Sequence, residues 1–305
     1  MLTLPRFSYA APDRLEDAAA LGADPQARYL AGGTDLLPAM KHRLQAPSTL
    51  VSLRRLSELR GVVESGGGLR IGAAVTLAEL RAHPVVGARY PALAAAAASV
   101  ATRTLQGTAT LGGNVMLDTR CVFYNQPDGW RESIGGCLKC EGRVCHVAPA
   151  GDGCYAAHSA DTVPPLWLYG ARVELASPEG LRELPVSWLY DGADGRQWLR
   201  TRPGELLTRV ILPAPTDPVV HHKIRLRGAI DFGAVLVAVQ RRGAGGRAVI
   251  SALGPAPIEV DGDSPEEVEE KAWVAARPLG THLHNAAWRR QMVKVAVRRA
   301  FAACG

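Results

Sequence analysis

Five of the six cysteines in this 305-residue chain, Cys121, Cys137, Cys140, Cys145 and Cys154, fall between positions 121 and 154. Thiols at that density either pair as disulfides or ligate zinc or iron–sulfur clusters. The opening residues, Met1-Leu2-Thr3-Leu4-Pro5-Arg6, lack the apolar stretch and small-residue cleavage site of a secretory signal. The chain is therefore read as cytoplasmic, where structural disulfides are disfavoured and a tight cysteine group points to metal or redox chemistry. Cys137-x-x-Cys140 is itself a metal-binding spacing, and His146 could ligate zinc beside Cys145 or donate a hydrogen bond behind the ligands. Cys304 is too distant in sequence to be counted with them.

Two glycine turns form the second chemical feature. In Ala31-Gly32-Gly33-Thr34-Asp35, paired glycines allow close backbone approach to a bulky anion. Amides at the start of the following helix would favour phosphate oxygens. Thr110-Leu111-Gly112-Gly113-Asn114 is a turn of the same kind about 80 residues later. The pair suggests a dinucleotide diphosphate held between two lobes. Neither turn matches G-x-G-x-x-G, so the doubly wound dinucleotide fold is not supported.

The elements that must position these groups follow from periodicity. Residues 15–21 read as helix, 28–31 as strand, 36–44 as helix and 49–53 as strand. Residues 62–63 and 69–73 form a hairpin around Gly66-Gly67-Gly68, with helices at 77–82 and, rich in alanine, at about 92–102. The small side chains of that last helix suggest close packing. Regular periodicity disappears between 117 and 159, in a segment too long for an ordinary connection. Helix 164–169 and strands 172–175, 206–212, 222–227, 234–240 and 247–253 follow. Helices at 264–275, capped by Ser264, and 285–303 close the chain. The class is α+β.

Composition adds exclusions. At 47% hydrophobic and 21% charged residues the chain is an ordinary globular protein. No run of about 18 apolar residues could cross a bilayer, so no membrane is expected. The net charge of +6 is dispersed except on the last helix, with Arg289, Arg290, Lys294, Arg298 and Arg299. No basic stripe interleaves with aromatics, which argues against nucleic acid and for a solvated helix face or an acidic partner. No Ser/His/Asp arrangement has telling spacing, and His221-His222 read as flanking a strand, so substrate chemistry is expected elsewhere.

Taken in order, residues 30–36, Ile71-Gly72-Ala73 with Thr76, residues 110–114, Ser159-Ala160-Asp161, and Lys223-Ile224-Arg225-Leu226-Arg227 with Ile230-Asp231-Phe232 resemble the FAD-binding subunits of the xanthine dehydrogenase and carbon monoxide dehydrogenase family. The resemblance implies a two-lobed FAD-binding domain of the vanillyl-alcohol-oxidase/PCMH type over residues 1–215, with lobes of about 1–56 and 57–215. A smaller α+β C-terminal domain with an antiparallel sheet would occupy 216–305. It further implies that Tyr29, Leu30, Ala31, Gly32, Gly33, Thr34, Asp35 and Leu36 wrap the FAD diphosphate. Val100, Ala101, Ala109, Thr110, Gly113, Asn114 and Met116 would line the cofactor, and Asp161 would bond it from the far side. Lys223 would lie near the isoalloxazine ring, where a cation stabilises the charge of reduced flavin.

Relative to most of that family the chain inserts about 40 residues, at about 117–158. The content of the insertion resembles the 4-hydroxybenzoyl-CoA reductase beta subunits, which carry an extra [4Fe–4S] cluster there. This implies Cys121, Cys137, Cys145 and Cys154 as ligands, with 15, 7 and 8 residues between them. Cys140 leaves the exact foursome open, and a structural zinc site is the alternative. The resemblance implies an oxidoreductase subunit that relays electrons from a ferredoxin-type donor through cluster and FAD. The onward path would be [2Fe–2S] clusters on a small subunit and molybdenum on a large one, in a dimer of heterotrimers that dehydroxylates an aromatic acyl-CoA. Rival expectations are a related hydroxylase subunit passing electrons outward, a stand-alone flavin oxidase, and a zinc-stapled scaffold.

Overall fold

Three short strands, β1 (Ser8–Ala10), β2 (Ala27–Leu30) and β3 (Thr49–Ser52), form an all-parallel sheet in the order β1-β3-β2. The computed structural model describes residues 3–305; Met1 and Leu2, the start of the segment read for a secretory signal, lie outside the described residues. The central strand β3 buries Leu50, Val51 and Ser52, as a parallel strand covered on both faces must. The helix Leu15–Gly22 covers the sheet through Ala18 and contacts both β2 and β3.

The second sheet has five antiparallel strands in the order β4-β5-β8-β6-β7: β4 (Val62–Ser65), β5 (Gly68–Gly72), β6 (Arg172–Ser177), β7 (Gly180–Pro185) and β8 (Leu206–Leu212). The β4–β5 hairpin turns on Gly66 and Gly67, with φ of 58° and 76°. Two successive positive φ values match the right-handed twist of the flanking strands, and glycine adopts them without a Cβ penalty. The largest apolar core lies between this sheet and the helices Leu77–Ala82, Pro84–Arg89, Pro91–Ser99 and Val163–Leu168.

The third sheet, order β12-β11-β10-β9, comprises β9 (Val219–Ile224), β10 (Val235–Arg242), β11 (Gly245–Ser251) and β12 (Ile258–Gly262). Alternate residues of β10 serve different cores. Val235, Val237 and Val239 pack with the helices Pro265–Ala275 and Ala286–Ala302, while Ala238 faces the core of the second sheet. An antiparallel strand buried on both faces therefore reads as a continuous apolar run. The C-terminal region is α+β with an antiparallel sheet, as the residues implied.

Several boundaries differ from sequence expectation, for local reasons. The helix at 36 stops at Lys41 rather than 44, because Arg43 turns to φ 58° and the Leu44 amide returns to the Ala39 carbonyl. The alanine-rich helix stops at Ser99 rather than 102, because Ala101 adopts φ 45°. The strand expected at 222–227 spans Val219–Ile224 instead, so His221 and His222 lie inside β9 rather than beside it. The insertion holds a short helix, Asp128–Ser133. Arg289, expected on a solvated face, is fully buried; it donates to the carbonyls of Ala234, Leu279 and Ala252. Lys294 and Arg298 pair with Glu270 and Glu269 of the preceding helix, and Arg290 stacks on Trp273. The basic helix thus spends most of its charge within the molecule. Among the described residues no helix is long and apolar enough to cross a membrane.

Candidate functional site

A cavity of about 740 Å³ opens between the first and second sheets and reaches β9 of the third. The carboxyl end of β2 delivers Tyr29, Leu30, Ala31, Gly32, Gly33, Thr34, Asp35 and Leu36 to its wall. Gly32 has no substitute there, since a Cβ would lie 2.0 Å from the Thr108 carbonyl oxygen. Gly33 has φ +68°, which turns the chain into the following helix. That helix has six residues, so its end is a set of turn amides rather than the pole of a long dipole.

Opposite this turn, residues 109–116 are fastened to the segment after β5. The Leu77 amide donates to the Ala109 carbonyl at 2.8 Å, Leu111 to Val75 at 2.9 Å and Gly112 to Ala73 at 2.8 Å. A Cβ on Gly112 would lie 2.7 Å from that of Ala73. These contacts explain why the two motifs occur together in the sequence. Ala109, Thr110, Gly113, Asn114 and Met116 line the cavity, as do Val100 and Ala101 beyond the end of the alanine-rich helix. Thr110 caps its own turn by accepting from the Gly113 amide, and the Asn114 side-chain oxygen accepts from the Thr162 amide and hydroxyl.

Asp161 and Lys223 meet at one end of the cavity. The Lys223 ammonium lies 2.7 Å from Asp161 Oδ1, and each side chain is 5% exposed. Ser99 donates its hydroxyl to the same oxygen at 2.8 Å and accepts from Lys223 at its carbonyl. Two further polar atoms on the cavity-lining residues, Ser159 Oγ and Trp198 Nε1, are buried without a hydrogen-bond partner. Buried polar groups are rarely left so, which makes both natural contacts for a bound molecule. Trp198, Asp118 and Leu199 line the cavity although periodicity placed none of them there. Their segments carry no regular structure, and only the fold brings them in.

The five clustered cysteines are all buried and unpaired by disulfides, and Cys121, Cys137, Cys140 and Cys154 share one apolar cluster with Leu44 packed against it. Arg120, one residue before Cys121, ties this region to the first glycine turn by pairing with Asp35 at 2.6 Å. Cys137 and Cys140 face each other across a tight hairpin, bonded at 2.9 and 2.8 Å through their backbones. Burial pushes the Cys121 thiol up to about 11, with smaller contributions from Cys154 and Cys137; burial also raises Cys154, to which Cys145 adds. Burial raises Cys140 too, while the neighbouring Arg131 guanidinium pulls it down, as the Lys139 ammonium does for Cys154. Arg131 is anchored to the carbonyls of His42, Gln126 and Arg43. His146 bonds the Gly136 carbonyl at 2.6 Å and stacks on Phe123, so it fastens the loop instead of donating to a thiolate. Among the described residues no three or more His, Cys, Asp or Glu side chains are gathered closely enough to hold a metal ion.

The family model for the FAD-binding domain in molybdopterin dehydrogenase matches residues 5–215. This chain belongs to that family. It is 34% identical over 256 residues to the aldehyde oxidoreductase FAD-binding subunit PaoB of Escherichia coli (strain K12), covering 80% of each chain. It is 31% identical to the putative xanthine dehydrogenase FAD-binding subunit XdhB of the same organism, over 75% of this chain and 66% of that protein. The crystal structure of cyanide-inactivated Cu,Mo-CO dehydrogenase superposes with a TM-score of 0.78 at 25% identity, over 99% of both chains. As a FAD-binding subunit of the molybdopterin dehydrogenases, the protein is an oxidoreductase component. Its cavity suits the cofactor on structural grounds: two glycine turns that a Cβ would block, two unpartnered polar atoms on its wall and a buried charge pair at one end.

Proposed function

We propose that the protein is the FAD-carrying, electron-transferring subunit of a molybdenum-hydroxylase-type complex, assembled with a small [2Fe–2S] subunit and a large molybdenum subunit. The observation that carries this is the cavity of about 740 Å³ between the two glycine turns, closed at one end by Lys223 and Asp161. Bound FAD would supply the exchange between two-electron substrate oxidation and one-electron carriers. The backbone from Tyr29 to Leu36 and the turn at Ala109, Thr110, Gly113, Asn114 and Met116 would hold it, with Val100 and Ala101 alongside. Ser159 and Trp198 would give it hydrogen bonds that the protein alone does not use. Lys223, pinned by Asp161, would present a fixed positive charge. The FAD-binding domain is taken as residues 1–215, and the C-terminal domain as 216–305.

The same proposal places a [4Fe–4S] cluster on Cys121, Cys137, Cys145 and Cys154. Support comes from the cysteine content of the insertion and from the packing of Cys121, Cys137, Cys140 and Cys154 in one buried cluster. Cys140, which faces Cys137 across the hairpin, leaves the exact foursome open. The similarity to aldehyde- and CO-oxidising enzymes favours electron flow outward to an external acceptor. Inward flow from a ferredoxin-type donor, to dehydroxylate an aromatic acyl-CoA, rests on the cysteine content alone. The complex is taken as a cytoplasmic dimer of heterotrimers.

Anaerobic purification of the complex tests this through its visible spectrum, flavin content and iron content. The expected preparation is yellow-brown, and Cys121→Ser loses iron from this subunit while Cys140→Ser retains it. A subunit that takes up no flavin on reconstitution ends the proposal, and one with flavin but no iron ends its cluster half. Titration with candidate acceptors and donors reports the direction of flow.

A further inference from the structure

Four carboxylates line the large cavity, Asp35, Asp118, Asp161 and Asp231, and each is paired with a cation. Lys223 and Arg227 of the C-terminal region serve Asp161 and Asp231. The other two cations come from the cysteine-rich insertion: Arg120 meets Asp35 at 2.6 Å and Lys139 meets Asp118 at 2.7 Å.

Lys139 is the more deeply buried of these two. It sits between Cys137 and Cys140 in the tight hairpin, yet its side chain is only 7% exposed. Besides Asp118, its ammonium donates to the Thr119 hydroxyl and, at 2.7 Å, to the Gly195 carbonyl. Those three partners use every N–H the group has. Two aromatic rings flank it, Trp198 at 4.7 Å and Tyr124 at 5.1 Å from the ring centroids. Trp198 and Asp118 both line the cavity. One residue of the insertion therefore fixes a charge and an aromatic side chain on the cavity wall.

Fold stability is a poor reason for this arrangement, because a buried ion pair gains little over apolar residues of the same volume. The cavity supplies a better one. FAD is an anion through its diphosphate, and a bare carboxylate on a low-dielectric wall would repel it. A carboxylate matched by a cation keeps its hydrogen-bonding capacity without that repulsion.

We propose that Lys139 is a positioning residue for the flavin: it cancels the charge of Asp118 and holds Trp198 against the cavity, so that the cysteine-rich hairpin supports the cofactor wall from behind. This rests on the FAD reading proposed above and is independent of what the thiols bind.

The test is fluorescence titration of the flavin-stripped full chain with FAD, alongside urea denaturation. It compares wild type, Lys139→Met, Asp118→Asn and the double variant. Each single substitution strands a buried partner, so both are expected to lower the unfolding midpoint. Affinity for FAD is expected to respond differently. It should be about tenfold weaker in Lys139→Met, where Asp118 is bare, and unchanged or tighter in Asp118→Asn. The double variant, with neither charge, should bind FAD about threefold or more tighter than Lys139→Met. A merely structural clamp weakens binding in both single variants alike, and that result overturns the inference. So does a Lys139→Met form within about threefold of wild type, or a double variant no tighter than Lys139→Met. If Lys139→Met fails to accumulate, the double variant against Asp118→Asn decides the matter. Binding about threefold or more weaker in the double variant supports the inference, and a smaller difference overturns it. A wild-type chain that takes up no FAD overturns the flavin reading itself. A wild-type chain that binds FAD, with any of the failures above in the variants, overturns this inference alone.

Discussion

Lys223 and Asp161 are paired at 2.7 Å across 62 positions of sequence, and Ser99 closes the group by bonding both partners. Three elements thus meet at one polar knot: β9, the end of the alanine-rich helix and the segment before Val163. Because each charged side chain is 5% exposed, removing one partner strands the other without water. Lys223→Met is expected to cost about 3–5 kcal/mol of stability. Asp161→Asn keeps a hydrogen-bond acceptor for Ser99 and should cost less. Chemical denaturation of each variant, with flavin absorbance relative to protein, measures both effects. Equal stability of Lys223→Met and wild type would show that the pair is not coupled as its geometry indicates.

Gly32→Ala should abolish flavin retention, since the added methyl must occupy space 2.0 Å from the Thr108 carbonyl. That oxygen belongs to backbone fixed by the second turn and cannot rotate aside. Gly87→Ala is the matched control: it lies in the helix Pro84–Arg89 with nothing within 4 Å of a new Cβ. It should be neutral or stabilising by up to about 1 kcal/mol. Flavin stoichiometry after gel filtration and the melting temperatures of the two variants check this, and a flavin-replete Gly32→Ala form would contradict it.

The turn residues were legible because paired glycines between a strand pattern and a helix pattern mark a turn in any sequence. What requires them lies outside each motif: Gly32 meets the Thr108 carbonyl and Gly112 meets Ala73. Trp198, Ser159 and Asp118 escaped as cavity residues because their placement depends on irregular segments returning from elsewhere in the chain. Ala101 was misread for the opposite reason. Alanine propensity extends the helix on paper, whereas the cavity wall needs a left-handed residue there. Arg289 shows the same limit: a basic helix looks solvated until the unpaired carbonyls of Ala234 and Ala252 appear beneath it.

Acid should destabilise the protein through two buried histidines. Burial pushes His158 down to about 3 and His221 down to about 4, and Asp161 only partly offsets the latter. In the unfolded chain both titrate near 6.5. The unfolded state therefore binds more protons below that pH, so this stability is complete above about 6.5 and is lost as the pH falls towards the folded values. The slope is up to about 1.4 kcal/mol per pH unit for each histidine. Urea denaturation at pH 7.5, 6.5, 5.5 and 4.5 is the measurement, with His221→Asn expected to flatten the slope. A stability profile unchanged between pH 6.5 and 4.5 would show that neither ring is held neutral.

Trp198→Phe separates cofactor recognition from folding. The indole N–H is buried with no partner in the protein, so deleting it removes no internal hydrogen bond. The phenyl ring still offers an aromatic face to Lys139, which lies 4.7 Å from the indole centroid. The flavin-free chain should be as stable as wild type or slightly more so, because an unsatisfied buried donor is relieved. Flavin affinity should fall by about three- to tenfold, the worth of one hydrogen bond of roughly 0.5–1.5 kcal/mol. Fluorescence titration of the deflavinated protein with FAD, alongside its unfolding curve, resolves the two quantities. Unchanged affinity would mean that this N–H does not face the cofactor, and a loss of stability in the flavin-free chain would mean that it has an internal partner after all.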